Sequence, residues 1–330
     1  MSRAISSIAE NTLGCRPGER YGIEVEAERL LQVDDGLRWS EAFRKYWSLT
    51  SDGSLRHNGV EFVSNPLAKT SVPPAIAALW PYFEEGRMRP SVRTGIHVHV
   101  SCLGLNTDQV MRIALHYALM EPVFTYFAGP AREENIYCIP WYRAHDEPNA
   151  VRTFLSGERG ERSPCKYSAL FVGPLATFGT IELRHAPTWT DPETMLTWWR
   201  MAQALYRTYR TEYDILEEYL LVGPAGFARQ VLTGIGGVAI PPTSVFDECD
   251  VESVAEILAE VPPTVHPAWG RTPMLAVEGT TLTVNVPRRN RFLIEPEEAR
   301  PDDDWEPSTA DWEPSPPEYD PAPPDFEEER

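Results

Sequence analysis

Four short stretches constrain this chain more than anything else in it. "YGIEVEAE" (21–28), "GVEFVSNPL" (59–67), "GIHVHVS" (95–101) and "GTIELRH" (179–185) each alternate apolar and ionisable residues. A strand has a side-chain period of two, so each stretch predicts a β-strand with one apolar face and one ionisable face. Ile23, Val25 and Ala27 oppose Glu24, Glu26 and Glu28; Val60 and Phe62 flank Glu61. Ile96, Val98 and Val100 oppose His97 and His99; Ile181 and Leu183 oppose Glu182 and Arg184. Paired in one sheet, the four strands collect Glu24, Glu26, Glu61, His97, His99, Glu182 and Arg184 on one side. The plain alternative is a sheet with one solvated face. Thr, Lys, Ser and Gln normally dominate such a face. Crowded carboxylates repel one another unless a cation lies among them. Carboxylate oxygens suit Mg²⁺, and imidazole joins them around Mn²⁺.

Strands are expected at about 20–28, 46–51, 59–64, 94–102, 166–172 and 178–185. The turn-rich "SDGSLRHNG" joins the second and third as a hairpin. Helices are expected at about 75–86, 107–127, 147–156, 191–221 and 250–260, with Thr190 as N-cap of the fourth. Hairpins followed by blocks of helices predict an α+β fold with a largely antiparallel sheet, not a doubly wound one. The aromatic residues of "TWWRMAQALYRTYRTEYDILEEYL" read as core.

The 330 residues carry a formal charge of −19. Residues 301–330 hold twelve Asp/Glu against Arg330 alone, which is −11 and leaves −8 for the rest. With eight prolines, that segment cannot bury enough apolar surface to offset its ordering entropy. It is expected to be a disordered, solubilising tail; its repeated "DWEPS" also makes it a candidate docking peptide for a protein. The division is therefore an N-terminal extension (1–19), a central domain (20–300) and the tail (301–330). The acidic body argues against nucleic-acid binding. No apolar run is long enough to cross a membrane, and "MSRAISSIAENTLGCRPGER" has no secretory h-region. The five cysteines form no CxxC pair, so a reducing, cytoplasmic setting is expected. No phosphate-binding glycine loop is visible, and "GIGG" (234–237) is too short to count.

Gly-x-Glu-x-Glu, Asp-Gly-Ser with Gly-x-Glu-x-x-Ser-x-Pro-Leu, Gly-x-His-x-His and Gly-Thr-x-Glu-x-Arg occur in this order. As a set, over about residues 20–200, they resemble the amidoligases, carboxylate–amine ligases related to glutamine synthetase and glutamate–cysteine ligase. "KYSAL" (166–170) resembles the family's basic-aromatic strand, with Lys166 where many relatives carry Arg.

The resemblance implies a glutamine-synthetase-like domain: a curved antiparallel sheet, helices on its convex side, and ATP with two or three Mg²⁺ or Mn²⁺ ions on its concave side. It implies metal ligation by Glu24, Glu26, Glu61, His97 and Glu182, with Asp52 nearby. His99 would touch metal or phosphate. Arg184 would meet ATP phosphate, with Lys166 or Arg162 assisting. Glu24, Glu182 and Arg184 are the implied catalytic residues. In "REENIYC" (132–138) and the polar, aromatic loop after it, Arg132, Asn135 and Arg143 are candidates for a substrate carboxylate. His57 reads as solvated, His116 as a packing or surface residue and His185 as structural, while His145 lies in a loop, "IPWYRAHDE", that could cover the substrate. The implied reaction joins a small-molecule or peptide carboxylate to an amine. Rival readings are a phosphagen-type kinase, a metal-dependent amide hydrolase and a non-catalytic binding protein.

Overall fold

Among the described residues, β-branched and aromatic residues alternating with polar ones form seven strands: β1 (Arg20–Ala27), β2 (Trp47–Ser51), β3 (Val60–Ser64), β4 (Leu67–Ala68), β5 (Gly95–Ser101), β6 (Leu170–Phe171) and β7 (Thr180–Pro187). The computed structural model describes residues 19–28, 39–51, 55, 59–84, 90–133, 135–144, 146–156, 164–189 and 191–259. The strands form one open sheet in the order β2-β3-β1-β5-β7-β6, with β4 beside β1. Every strand pair in it is antiparallel. β1 and β5 lie side by side in the middle, which puts the Gly-x-Glu-x-Glu and Gly-x-His-x-His stretches in direct contact.

The helices of eight or more residues are α1 (Val72–Leu79), α2 (Thr107–Ala128), α3 (Glu147–Ser156), α4 (Pro192–Arg207), α5 (Ile215–Val222), α6 (Pro224–Val231) and α7 (Val251–Ala259). The apolar sheet face, carrying Tyr21, Ile23, Val25, Ile96, Val98, Val100, Ile181 and Leu183, is buried in the core with residues of α2 and α4. Tyr21 meets Trp199 edge-on at 5.6 Å, and Phe124 of α2 stacks on His185 of β7 at 5.9 Å. The α+β class and the antiparallel sheet are as expected. Among the described residues no helix is long and apolar enough to cross a membrane.

Several boundaries differ, each for a local reason. The strand expected over 166–172 shrinks to Leu170–Phe171. The Cys165 N–H and the Ser168 hydroxyl both donate to the Glu147 carboxylate, which holds the chain before Leu170 in a turn. The helix expected over 191–221 breaks after Arg207. A 3₁₀ turn follows at Thr208–Arg210, Arg112 takes the Thr211 carbonyl at 2.6 Å, and Asp214 caps a new helix. Asp191, not Thr190, caps α4 by accepting from the Glu193 and Thr194 N–H groups. α1 starts earlier than expected because its prolines lie in the first turn, where no N–H is needed, and Pro81 follows its end. Residues Glu41–Tyr46, Pro224–Val231 and Thr243–Asp247 are helices that the pattern did not suggest. The N-terminal extension before residue 19 and the tail 301–330 lie outside the described residues, as do Asp52, His57, His145 and Arg162.

His116 is buried in α2, as a packing residue should be. Its Nδ1–H donates to the Arg112 carbonyl at 2.7 Å, its Nε2 lies 3.3 Å from the Tyr213 hydroxyl, and its ring stacks on Phe227. Burial pushes its pKa from 6.5 down to about 4. The unfolded chain therefore binds a proton that the fold excludes, and stability falls as pH drops from about 6.5 to about 4. The full effect is about 3 kcal/mol. The urea stability of His116→Phe relative to the parent should improve by about that amount between pH 7 and pH 4. A pH-independent difference would contradict the buried neutral imidazole.

Candidate functional site

The other sheet face carries the ionisable set, and the register decides who meets whom. Glu24 faces His97 across β1–β5, Glu26 faces Glu61 across β1–β3, and His99 faces Glu182 across β5–β7. His97 is the hub. Its Nδ1 lies 3.4 Å from Glu24 and 3.3 Å from Glu182, and its Nε2 lies 3.9 Å from Glu26. His99 Nε2 lies 3.4 Å from Glu24 and 3.8 Å from Glu182. Arg184 donates to Glu182.

Two motif glycines make room for these rings. A Cβ on Gly22 would come within 3.3 Å of His99 Cβ, and one on Gly95 would come within 3.1 Å of both His97 Nε2 and Arg132 Nη2.

Within this cluster two triads offer ligand atoms lying within 4.8 Å of one another: Glu24, Glu61 and His97, and Glu24, His99 and Glu182. Glu24 belongs to both. Glu26 belongs to neither, because its Oε2 accepts the Gly95 N–H at 2.7 Å while its backbone carbonyl accepts from Thr188. It shapes the hub instead.

The electrostatics are those of a site short of positive charge. Four carboxylates (Glu24, Glu26, Glu61, Glu182) face two imidazoles and two guanidiniums, Arg184 and, beside Glu26, Arg132. Burial pushes the Glu24 carboxyl up, but His99 and His97 outweigh it and hold it well below the usual carboxylate range. Burial lowers the His99 pKa, but Glu24 and Glu182 outweigh it and raise it. The His99 Nδ1 is engaged by Thr180 Oγ1 at 3.0 Å, while its buried Nε2 has no hydrogen-bond partner. An orphaned imidazole nitrogen between carboxylate oxygens is a donor set that fits a divalent cation. Thr180 was not anticipated, although it stands two residues before Glu182 and period two puts it on this face.

Beside Glu24 and His99 a cavity of about 70 Å³ opens between Val63, Pro66, Leu103 and Phe178, with Arg20 in its wall. None of these wall residues was anticipated, because they come from four separate segments. Phe178 meets His99 edge-on at 6.5 Å.

The remaining expected residues lie elsewhere. Lys166 is exposed, with its Nζ over the Tyr167 ring at 4.7 Å, and among the described residues no hydrogen bond or ion pair ties it to the cluster. Arg132 is buried, and its guanidinium donates to the backbone carbonyls of His185 and Arg184 rather than lying open to a substrate. The Asn135 amide donates to the Val92 carbonyl at 2.7 Å. Arg143 pairs with Glu133 at 2.8 Å in an exposed position.

Comparison with known protein families and with curated proteins finds no match for this chain.

Proposed function

We propose that the protein is an ATP-dependent carboxylate–amine ligase whose sheet is of the glutamine-synthetase kind. The observation that carries this reading is the pair of Glu/His triads sharing Glu24, with Arg184 beside them. Glu24, Glu61 and His97 would hold one Mg²⁺ or Mn²⁺ ion, and Glu24, His99 and Glu182 a second; Glu26 would orient His97. Divalent cations in such sites neutralise charge between phosphates and a carboxylate and hold the reacting groups in line.

A carboxylate does not react with an amine near neutral pH, because its charge repels nucleophiles and oxide is a poor leaving group. Transfer of the ATP γ-phosphoryl group to a carboxylate oxygen releases ADP and gives an acyl phosphate. Attack by the amine at the acyl carbon then forms the C–N bond and releases phosphate and a proton. Arg184, charged and beside the carboxylates, would stabilise the phosphoryl oxygens during transfer.

The test is incubation with ATP, Mg²⁺, hydroxylamine and a panel of amino acids and peptides. A donor-dependent hydroxamate, formed with matching ADP, is the expected result. ADP without hydroxamate for any amine would favour a phosphagen-type kinase. Tight Mn²⁺ binding with no nucleotide binding would favour an amide hydrolase.

A further inference from the structure

β7 bulges beside the cluster. Ile96 faces Ala186 and Val98 faces Leu183, so His97 alone lies opposite both Arg184 and His185. A bulge disrupts the ladder locally, and the backbone groups it frees need partners when buried. A buried guanidinium supplies them. Arg132 Nε donates to the His185 carbonyl at 2.7 Å and Nη2 to the Arg184 carbonyl at 3.0 Å, while Nη1 lies 3.4 Å from the Thr94 carbonyl just ahead of β5. The Arg184 N–H donates to the Ala169 carbonyl at 2.8 Å.

The His185 side chain enters a second buried chain on the helix side. Its Nε2 lies 2.9 Å from the Tyr117 hydroxyl, which donates to Glu121. Glu121 also accepts the Trp141 N–H at 2.8 Å and the Tyr142 N–H at 3.2 Å. With the Tyr117 proton directed at Glu121, His185 Nε2 carries a proton and donates to the Tyr117 oxygen. Its Nδ1 is left buried and unpartnered. Arg132 also acts electrostatically on Glu26 at the edge of the cluster, and together these groups grip both residues of the bulge.

We propose that Arg132 and the Tyr117–Glu121 pair are positioning residues that fix the bulge at Arg184–His185 and so set the direction in which Arg184 presents its guanidinium to the cluster. A strand that slips by one residue turns its side chains to the opposite face. The clamp keeps Arg184 on the cluster side and His185 on the core side even though Ala186 also faces the core.

The test uses Arg132→Lys and Tyr117→Phe in the full chain. Backbone amide exchange in the ligand-free protein should accelerate about tenfold or more at 183–186 in either variant, with 47–51 and 60–64, on strands that do not pair with β7, unchanged. MgATP affinity should fall about tenfold while Mn²⁺ affinity stays within about twofold, a split that general loosening does not produce. Parental exchange at 183–186 in both variants overturns the clamp. So does acceleration spread evenly over the sheet, or an equal loss of Mn²⁺ and MgATP affinity. The affinity readout rests on the ligase reading and the exchange readout does not. A parent protein that binds no nucleotide sinks that reading, and the exchange pattern alone then decides the clamp. Should Arg132→Lys fail to fold, Tyr117→Phe, which removes one hydroxyl, carries the same test.

Discussion

Replacing Glu24 with alanine should remove both cation sites at once and lower ATP-dependent hydroxamate formation on the order of 10³-fold. The reason is its place in both triads. Glu61→Ala and Glu182→Ala each break one triad and should leave one ion bound. The fold should survive all three, because none of these carboxylates belongs to the apolar face that the helices cover. Glu24→Ala also relieves repulsion from Glu61 and Glu182, although it leaves His99 with one carboxylate fewer. Counting bound Mn²⁺ by electron paramagnetic resonance, alongside hydroxamate yield, separates the three variants. Turnover at parental rates in Glu24→Ala would remove the basis for the proposed site.

The largest stability effect is expected behind the sheet. Trp198 of α4 is fully buried, stacks on Phe127 at 6.3 Å and meets Phe124, Trp189 and His185 within 5.9 Å. These neighbours come from α2, β7 and the segment leading into α4, so one side chain ties three parts of the core together. Trp198→Ala should cost about 3–5 kcal/mol, from lost burial and from the cavity left between rings that cannot all collapse. Urea unfolding measures it directly. A loss under about 1 kcal/mol would contradict this packing.

The site face was legible because period two is a local property. Each strand sorts its own side chains whatever it pairs with, so Glu24, Glu61, His97, His99, Glu182 and Arg184 fall together once the strands share a sheet. Which of them meet was not legible, since register depends on pairings between residues up to about 90 positions apart, as between Gly95 and Pro187. The separation of Glu26 from the triads is a consequence of the Gly95 N–H reaching its carboxylate, and nothing in "IEVEA" foretells that. The β7 bulge is equally silent. Strict alternation in "IELRHAP" turns Ala186 away from the core, whereas the extra residue lets His185 and Ala186 both face it.

Loop residues were read least well. Arg132 looked like a substrate contact because it stands in a polar, aromatic segment, yet its buried guanidinium donates to backbone carbonyls. Helix 191–221 carried a continuous periodic pattern. Its break is set by Thr208 bonding back to the Leu205 carbonyl and by Arg112, which is remote in sequence, taking the Thr211 carbonyl. Helix α3, by contrast, was expected over 147–156 and is found at Glu147–Ser156.

The most direct test of the account is a Mn²⁺ titration of the whole protein near neutral pH, read by electron paramagnetic resonance with Mg²⁺ as competitor. The two triads predict two bound ions per chain, both displaced by Mg²⁺ and both lost in Glu24→Ala. No bound Mn²⁺, or binding that Glu24→Ala leaves untouched, would contradict it and return the Glu/His face to an ordinary polar sheet surface.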